Sequence, residues 1–162
     1  MKNYAFKRNW LNIPVILNAV IFILLSILHF YWAFGGNLWQ DDVLPTSSNG
    51  LQKLNPSKSA SLIIAFGLIF LALVTAGSQG LFDRYIKRTY FRYGTLTIAI
   101  IFLLRAIGDF KFMGFFKTVT GTKFGINDTQ IFSPLCLLIA FLSILIFMFN
   151  RHSRNSIETT KV

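Results

Sequence analysis

The chain has 162 residues, of which 54% are hydrophobic, 16% aromatic and only 14% charged, and its mean hydropathy is +0.56. A soluble domain of this size has too little interior to hide so much apolar surface, which excludes a disordered tail, a disulfide scaffold and most soluble enzymes. The formal charge of +10 suggests nucleic acid at first sight, but the basic residues sit in short clusters between long apolar runs, so no nucleic-acid partner is expected.

A helix needs about 20 mostly apolar residues to cross roughly 30 Å of hydrocarbon. The first such run is about residues 11–34, with no formal charge. Lys2, Lys7 and Arg8 precede it as in a signal peptide, but the apolar stretch is too long and no small-x-small site follows, so an uncleaved first helix is expected. At 100° per residue Asn18, Ser26, His29 and Trp32 fall within a sector of about 120°. Polar groups in a span face the bundle or a wet cavity, so this stripe should point inward. An outer loop, 35–58, follows, with Gly35–Gly36, Pro45, Asn49–Gly50 and Asn55–Pro56 as breakers. Ser57 or Ser59 is positioned to cap the second helix.

The second span, about 59–82, carries Ala72, Ala76 and Gly80 at four-residue spacing. A basic loop, 83–92, leads to the third span, about 93–114, which contains Arg105 and Asp109. In the second outer loop, 115–132, and just before it, Phe110, Phe112, Phe115, Phe116 and Phe124 alternate with glycines and with Lys111, Lys117 and Lys123. That pattern places the loop in the membrane interface, aromatics inward and lysines snorkelling. Ser133–Pro134 reads as N-cap and first turn of the fourth span, about 133–150, with a start at Asp128 as the alternative. Cys136, Ala140 and Ser143 share one face of it. The two small-residue stripes are packing seams, either within one bundle or in a homodimer. The fold class is all-α: one integral membrane domain, 1–162, built as a four-helix transmembrane bundle.

Lysines and arginines in short loops set orientation. Ten lie at the N-terminus (Lys2, Lys7, Arg8), in the loop 83–92 (Arg84, Lys87, Arg88, Arg92) and in the tail 151–162 (Arg151, Arg154, Lys161). Five lie in the other two loops (Lys53, Lys58, Lys111, Lys117, Lys123). Both termini are therefore expected in the cytoplasm. The charge serves topology and anchoring to the lipid bilayer.

Arg105 and Asp109 carry the strongest functional signal. At i and i+4 on one helix they share a face. Each costs about 2.5–3.5 kcal/mol unpaired at the bilayer centre. Counting about 1.5 Å per residue puts them and His29 in the outer half at comparable height, and Asp128 and Thr129 arrive there from the fourth helix. His29, Trp32, Arg105, Asp109 and Asp128 thus form one expected cluster. Two readings stay open. In one, the cluster is a pocket for a small-molecule or lipid ligand: Arg105 holds an anionic or carbonyl group, His29 is the candidate acid/base, and Asp109 orients it or balances Arg105. In the other, an ion pair and a hydrogen-bonded histidine merely lock the helices. No catalytic residue is assigned on this basis, and the balance leans away from an enzyme.

The sequence disfavours several chemistries. Cys136 is the single cysteine, so a dithiol centre within one chain is excluded. His29 and His152 belong to opposite faces of the membrane, which disfavours a bis-histidine haem. No metal-ligand spacing, nucleophile elbow or phosphate loop is present, and neither metal nor cofactor is expected.

Three separated segments suggest a family. His29-Phe30-Tyr31-Trp32-Ala33-Phe34-Gly35-Gly36, followed by Pro45, is the first. Leu104-Arg105-Ala106-Ile107-Gly108-Asp109-Phe110, then Gly114-Phe115, is the second. Phe124, Asp128-Thr129 and Phe132-Ser133-Pro134-Leu135-Cys136 make the third. In this order they resemble the bacterial four-helix membrane family called domain of unknown function 3995, over about residues 11–150. The resemblance implies a bacterial inner membrane location and no activity. The expected function is a non-enzymatic membrane protein with an outward-facing polar pocket. The alternatives are an intramembrane enzyme using His29, Arg105 and Asp109, or a small dimeric transporter.

Overall fold

The computed structural model describes residues 2–39, 43 and 57–158. Most of the loop 35–58, including Pro45, Asn49–Gly50, Lys53 and Asn55–Pro56, lies outside the described residues, as does Lys161. Helix α1 runs Lys2–Ala33, α2 Lys58–Gly77 and α3 Arg88–Ile107. A short α4, Lys123–Asn127, a π turn, Asp128–Phe132, and α5, Ser133–Glu158, then follow one another without a break. Four stretches are long and apolar enough to cross a membrane: Asn12–Ala33, Lys58–Gly77, Arg88–Ile107 and Lys123–Asn150. Among the described residues there is no strand. The protein is an all-helical, four-span bundle.

Local chemistry explains where the helices end. Ser57 caps α2 by accepting the N–H of Ala60 at 3.2 Å. The helix stops at Gly77 and not near residue 82, because Ser78 turns its hydroxyl onto the Thr75 carbonyl at 2.6 Å and Gly80 takes a positive φ. Gly80 therefore lies in a turn, outside the small-residue stripe, whereas Ala72 stays buried. Helix α3 begins at Arg88, five residues earlier than the hydropathy alone places it. Arg88 Nε donates to the Ser78 carbonyl at 2.8 Å, and Phe91 packs where a Cβ on Gly77 would strike its ring.

The last span also starts early. Thr122 accepts the N–H of Gly125 at 2.9 Å and so caps α4. Ser133 is consequently not an N-cap. Its N–H donates to the carbonyl of Asp128, five residues back. Pro134 has no N–H to offer the carbonyl of Gln130, and the π turn just before it absorbs the mismatch.

α1 packs chiefly on α2, and α3 on α5. Phe22, Leu68, Ala72, Ile98 and Ile139 form the shared core, with the Phe22 and Phe102 rings 5.5 Å apart. Polar side chains of α1 fasten it to its neighbours. Asn18 Nδ2 donates to Ser143 Oγ at 2.9 Å, and Ser26 Oγ donates to the Ala65 carbonyl at 2.9 Å. In lipid such bonds average about 0.6 kcal/mol each, so they fix register more than they add stability. The antiparallel order brings the end of α1, the start of α2, the end of α3 and the π turn to one end of the bundle.

Candidate functional site

The end of α3 is built by two glycines. Gly108 takes φ +94 and Gly114 φ +88, a region L side chains rarely adopt. A Cβ on Gly108 would collide with the Met113 carbonyl, and one on Gly114 with the Ile107 carbonyl. The chain thus leaves the helix, loops through 109–113 and returns against itself, with the Phe115 N–H on the Ala106 carbonyl at 2.9 Å. Asp109 lies inside this loop. Its Oδ1 accepts the N–H groups of Lys111, Phe112 and Met113 at 3.0, 2.7 and 2.9 Å. The Met113 N–H above all, with those of Phe112 and Lys111, holds the Asp109 carboxyl below the usual aspartate range, and together they outweigh the opposing effect of desolvation.

This corrects one expectation. Asp109 is not on α3, does not share a face with Arg105, and is exposed. The helix that the i, i+4 spacing requires stops one residue before Gly108. Asp109 staples a loop, and its Oδ1 serves the backbone of that loop.

The partner of Arg105 is Asp128, which is fully buried. Arg105 Nη2 lies 2.7 Å from Asp128 Oδ1. The other oxygen, Oδ2, accepts the Gly114 N–H at 2.7 Å, Lys117 Nζ at 3.1 Å and Ser133 Oγ at 3.3 Å. Lys117 does not snorkel. Its side chain is 1% exposed, and Nζ also donates to the Gly114 carbonyl at 3.0 Å and to Thr129 Oγ1 at 2.5 Å. Two cations therefore meet one carboxylate, and the loop 108–117 is clamped to the head of the last span. Lys117 is a member of the cluster that spacing does not reveal. One faint signal points to it: a lysine inside an aromatic run without an acidic neighbour in sequence.

Above the ion pair lies an apolar cavity of about 400 Å³, whose walls include Leu25, Leu28, Phe102, Phe124 and Cys136. That size suits a small organic ligand. His29, Trp32 and Arg105 line it too, so three of the five expected residues come together there. Asp128 stands behind Arg105. The Trp32 indole is engaged, Nε1 donating to the Leu38 carbonyl at 2.9 Å, and the His29 ring meets it edge-on at 5.0 Å. Two polar atoms at this wall are buried with no hydrogen-bond partner: Arg105 Nη1 and His29 Nδ1. An unmet guanidinium donor is costly in an apolar setting and cheap once an anion accepts from it.

Four membrane-length helices, a three-charge clamp and an apolar pocket beside it define a small multi-pass membrane protein. The model of the family described as "Protein of unknown function (DUF3995)" matches residues 22–143, and the chain belongs to that family. The match takes in His29, Arg105, Asp109, Lys117 and Asp128. No curated protein and no solved structure matches the chain.

Proposed function

We propose that the protein binds a small or lipid-derived ligand with an anionic group, and that Arg105 is the residue that holds it. One observation carries this reading: Arg105 lines an apolar cavity and keeps a buried donor, Nη1, without a partner. Asp128 takes the bond from Nη2 and leaves Nη1 unmet. His29 supplies the second polar contact. Leu25, Leu28, Phe102 and Phe124 supply an apolar wall for the rest of the molecule. Asp109 faces its own loop and has no part in binding. Without it His29 loses the carboxylate expected to orient it as an acid/base, which favours binding over catalysis.

The loop charges support an orientation with both termini cytoplasmic and the cavity toward the outer face. Lys117 is paired and buried, so it leaves the outer-loop count and the inner excess grows.

Native mass spectrometry of the gently solubilised protein tests the binding reading. A discrete adduct retained by the wild type and lost in Arg105→Met and in His29→Ala is the expected result. An adduct-free wild type, with variants that only lose thermal stability, would leave the cluster as helix glue.

A further inference from the structure

We infer that the ligand is a single-chain anionic amphiphile drawn from the bilayer, with its head on Arg105 and its chain in a groove on the lipid side of α1. This rests on the reading of the cavity as an anion pocket and names the class of molecule it takes. A second concavity of about 400 Å³ lies along α1, lined by Leu24, Ile27, Tyr31 and Trp39, and it shares Leu25 and Leu28 with the cavity. The two spaces thus have a common wall made of two flexible, half-buried leucines. Leu24 and Ile27 are 61% and 59% exposed on a membrane-length helix, so the groove opens toward hydrocarbon. From Leu24 to Tyr31 it follows about two turns of α1, roughly 10 Å.

The chemistry along this path changes in the order an amphiphile requires. Groove and common wall are apolar. The unpartnered guanidinium donor stands at the far side, with His29 beside it. Trp39 and Leu38 close the groove where α1 ends, held there by the Trp32 bond to the Leu38 carbonyl. Aromatic rings belong at this level of a membrane, between chain and head. A small hydrophilic anion would satisfy Arg105 but leave the leucine and phenylalanine walls uncovered. A neutral amphiphile would cover the walls and accept from Nη1 through an oxygen, but would leave the excess positive charge of Arg105 and Lys117 over Asp128 unmatched.

The test uses the full chain in detergent, with three probes followed by native mass spectrometry: dodecyl phosphate, dodecyl glucoside and inorganic phosphate. The wild type should hold dodecyl phosphate at least tenfold more tightly than either of the others. Leu24→Trp, which fills the groove without touching the cavity wall, should weaken dodecyl phosphate at least threefold. It should leave inorganic phosphate binding and the Tm unchanged. Inorganic phosphate bound as tightly as dodecyl phosphate, or a Leu24→Trp variant that binds dodecyl phosphate normally, overturns the lipid assignment and leaves the anion pocket standing. A wild type that holds neither phosphate overturns both.

Discussion

Arg105 and Asp128, 23 positions apart, meet at 2.7 Å, with the Asp128 side chain fully buried and that of Arg105 29% exposed. The asymmetry follows from their places. Asp128 is enclosed by α3, the loop 108–117 and the π turn, and accepts from Arg105, the Gly114 N–H, Lys117 and Ser133. Arg105 gives one donor to that enclosure and turns a flank to the cavity. It is the link between a structural clamp and a binding wall, so its loss and the loss of Asp128 should differ in kind.

Removing the carboxylate should cost more than removing the guanidinium. Asp128→Asn leaves Lys117, 1% exposed, without a countercharge, and breaking a buried pair in this way costs about 3–5 kcal/mol. In Arg105→Met the carboxylate keeps Lys117, the Gly114 N–H and Ser133, so the loss should stay near that of one charged hydrogen bond, about 1.5–3 kcal/mol. Chemical unfolding in detergent ranks the two. Equal losses would mean that Lys117 does not depend on Asp128.

The loop after α3 should tolerate no side chain at its two pinch points. Alanine at Gly108 or Gly114 needs a positive φ and also drives Cβ into a backbone carbonyl. Each should cost at least about 1–3 kcal/mol. Gly67 is the control. Nothing lies within reach of a Cβ there, and α2 is regular, so Gly67→Ala should be neutral or stabilising by up to about 1 kcal/mol. A Tm series of the three variants checks the order.

The helices were legible because a span is a compositional object. About 20 apolar residues announce it whatever they pack against. The charge of Arg105 inside the third span was legible too, since it is too costly in lipid to be idle, and Asp128 was expected at the same height. Their pairing was not. Phe110, Phe112, Phe115 and Phe116 are as apolar as a helix face, so the run continues past Gly108 as hydropathy while the backbone has already turned. Asp109 then stands at i+4 on paper and outside the helix in space. Lys117 was hidden for a related reason. A loop lysine counts toward topology until tertiary structure buries it, and its acceptors, the Gly114 carbonyl, Asp128 and Thr129, follow no period.

Acid should loosen the Asp109 loop in a defined direction. Its carboxyl titrates below the 3.8 of an unperturbed aspartate because the N–H groups of Met113, Phe112 and Lys111 favour the ionised form. A depressed value means that the contribution to stability is complete above the unfolded-state pKa and disappears as pH falls through the folded one. Amide resonances of Lys111, Phe112 and Met113 should therefore shift together with one midpoint below 3.8. The shift should be absent in Asp109→Asn. A midpoint above that value would mean that the staple does not hold in solution.

Asp109 reaches the cavity only through the backbone of Met113, which lines it, and that yields the sharpest comparison. If Asp109 only fastens the turn, Asp109→Asn keeps one oxygen acceptor for the three N–H groups and so keeps Met113, which lines the cavity, in place. Its retention of an anionic amphiphile such as dodecyl phosphate should stay within about twofold of wild type, whereas Arg105→Met removes a charge-assisted bond and should lose at least tenfold, since about 1.4 kcal/mol is a factor of ten. His29→Phe keeps the ring contact with Trp32 but deletes the nitrogen, and should fall between them. Native mass spectrometry of the three variants at one probe concentration gives the ranking. Loss in Asp109→Asn as large as in Arg105→Met would show that the loop conformation governs the pocket, and Arg105 would then be read as a sensor of the Asp128 clamp.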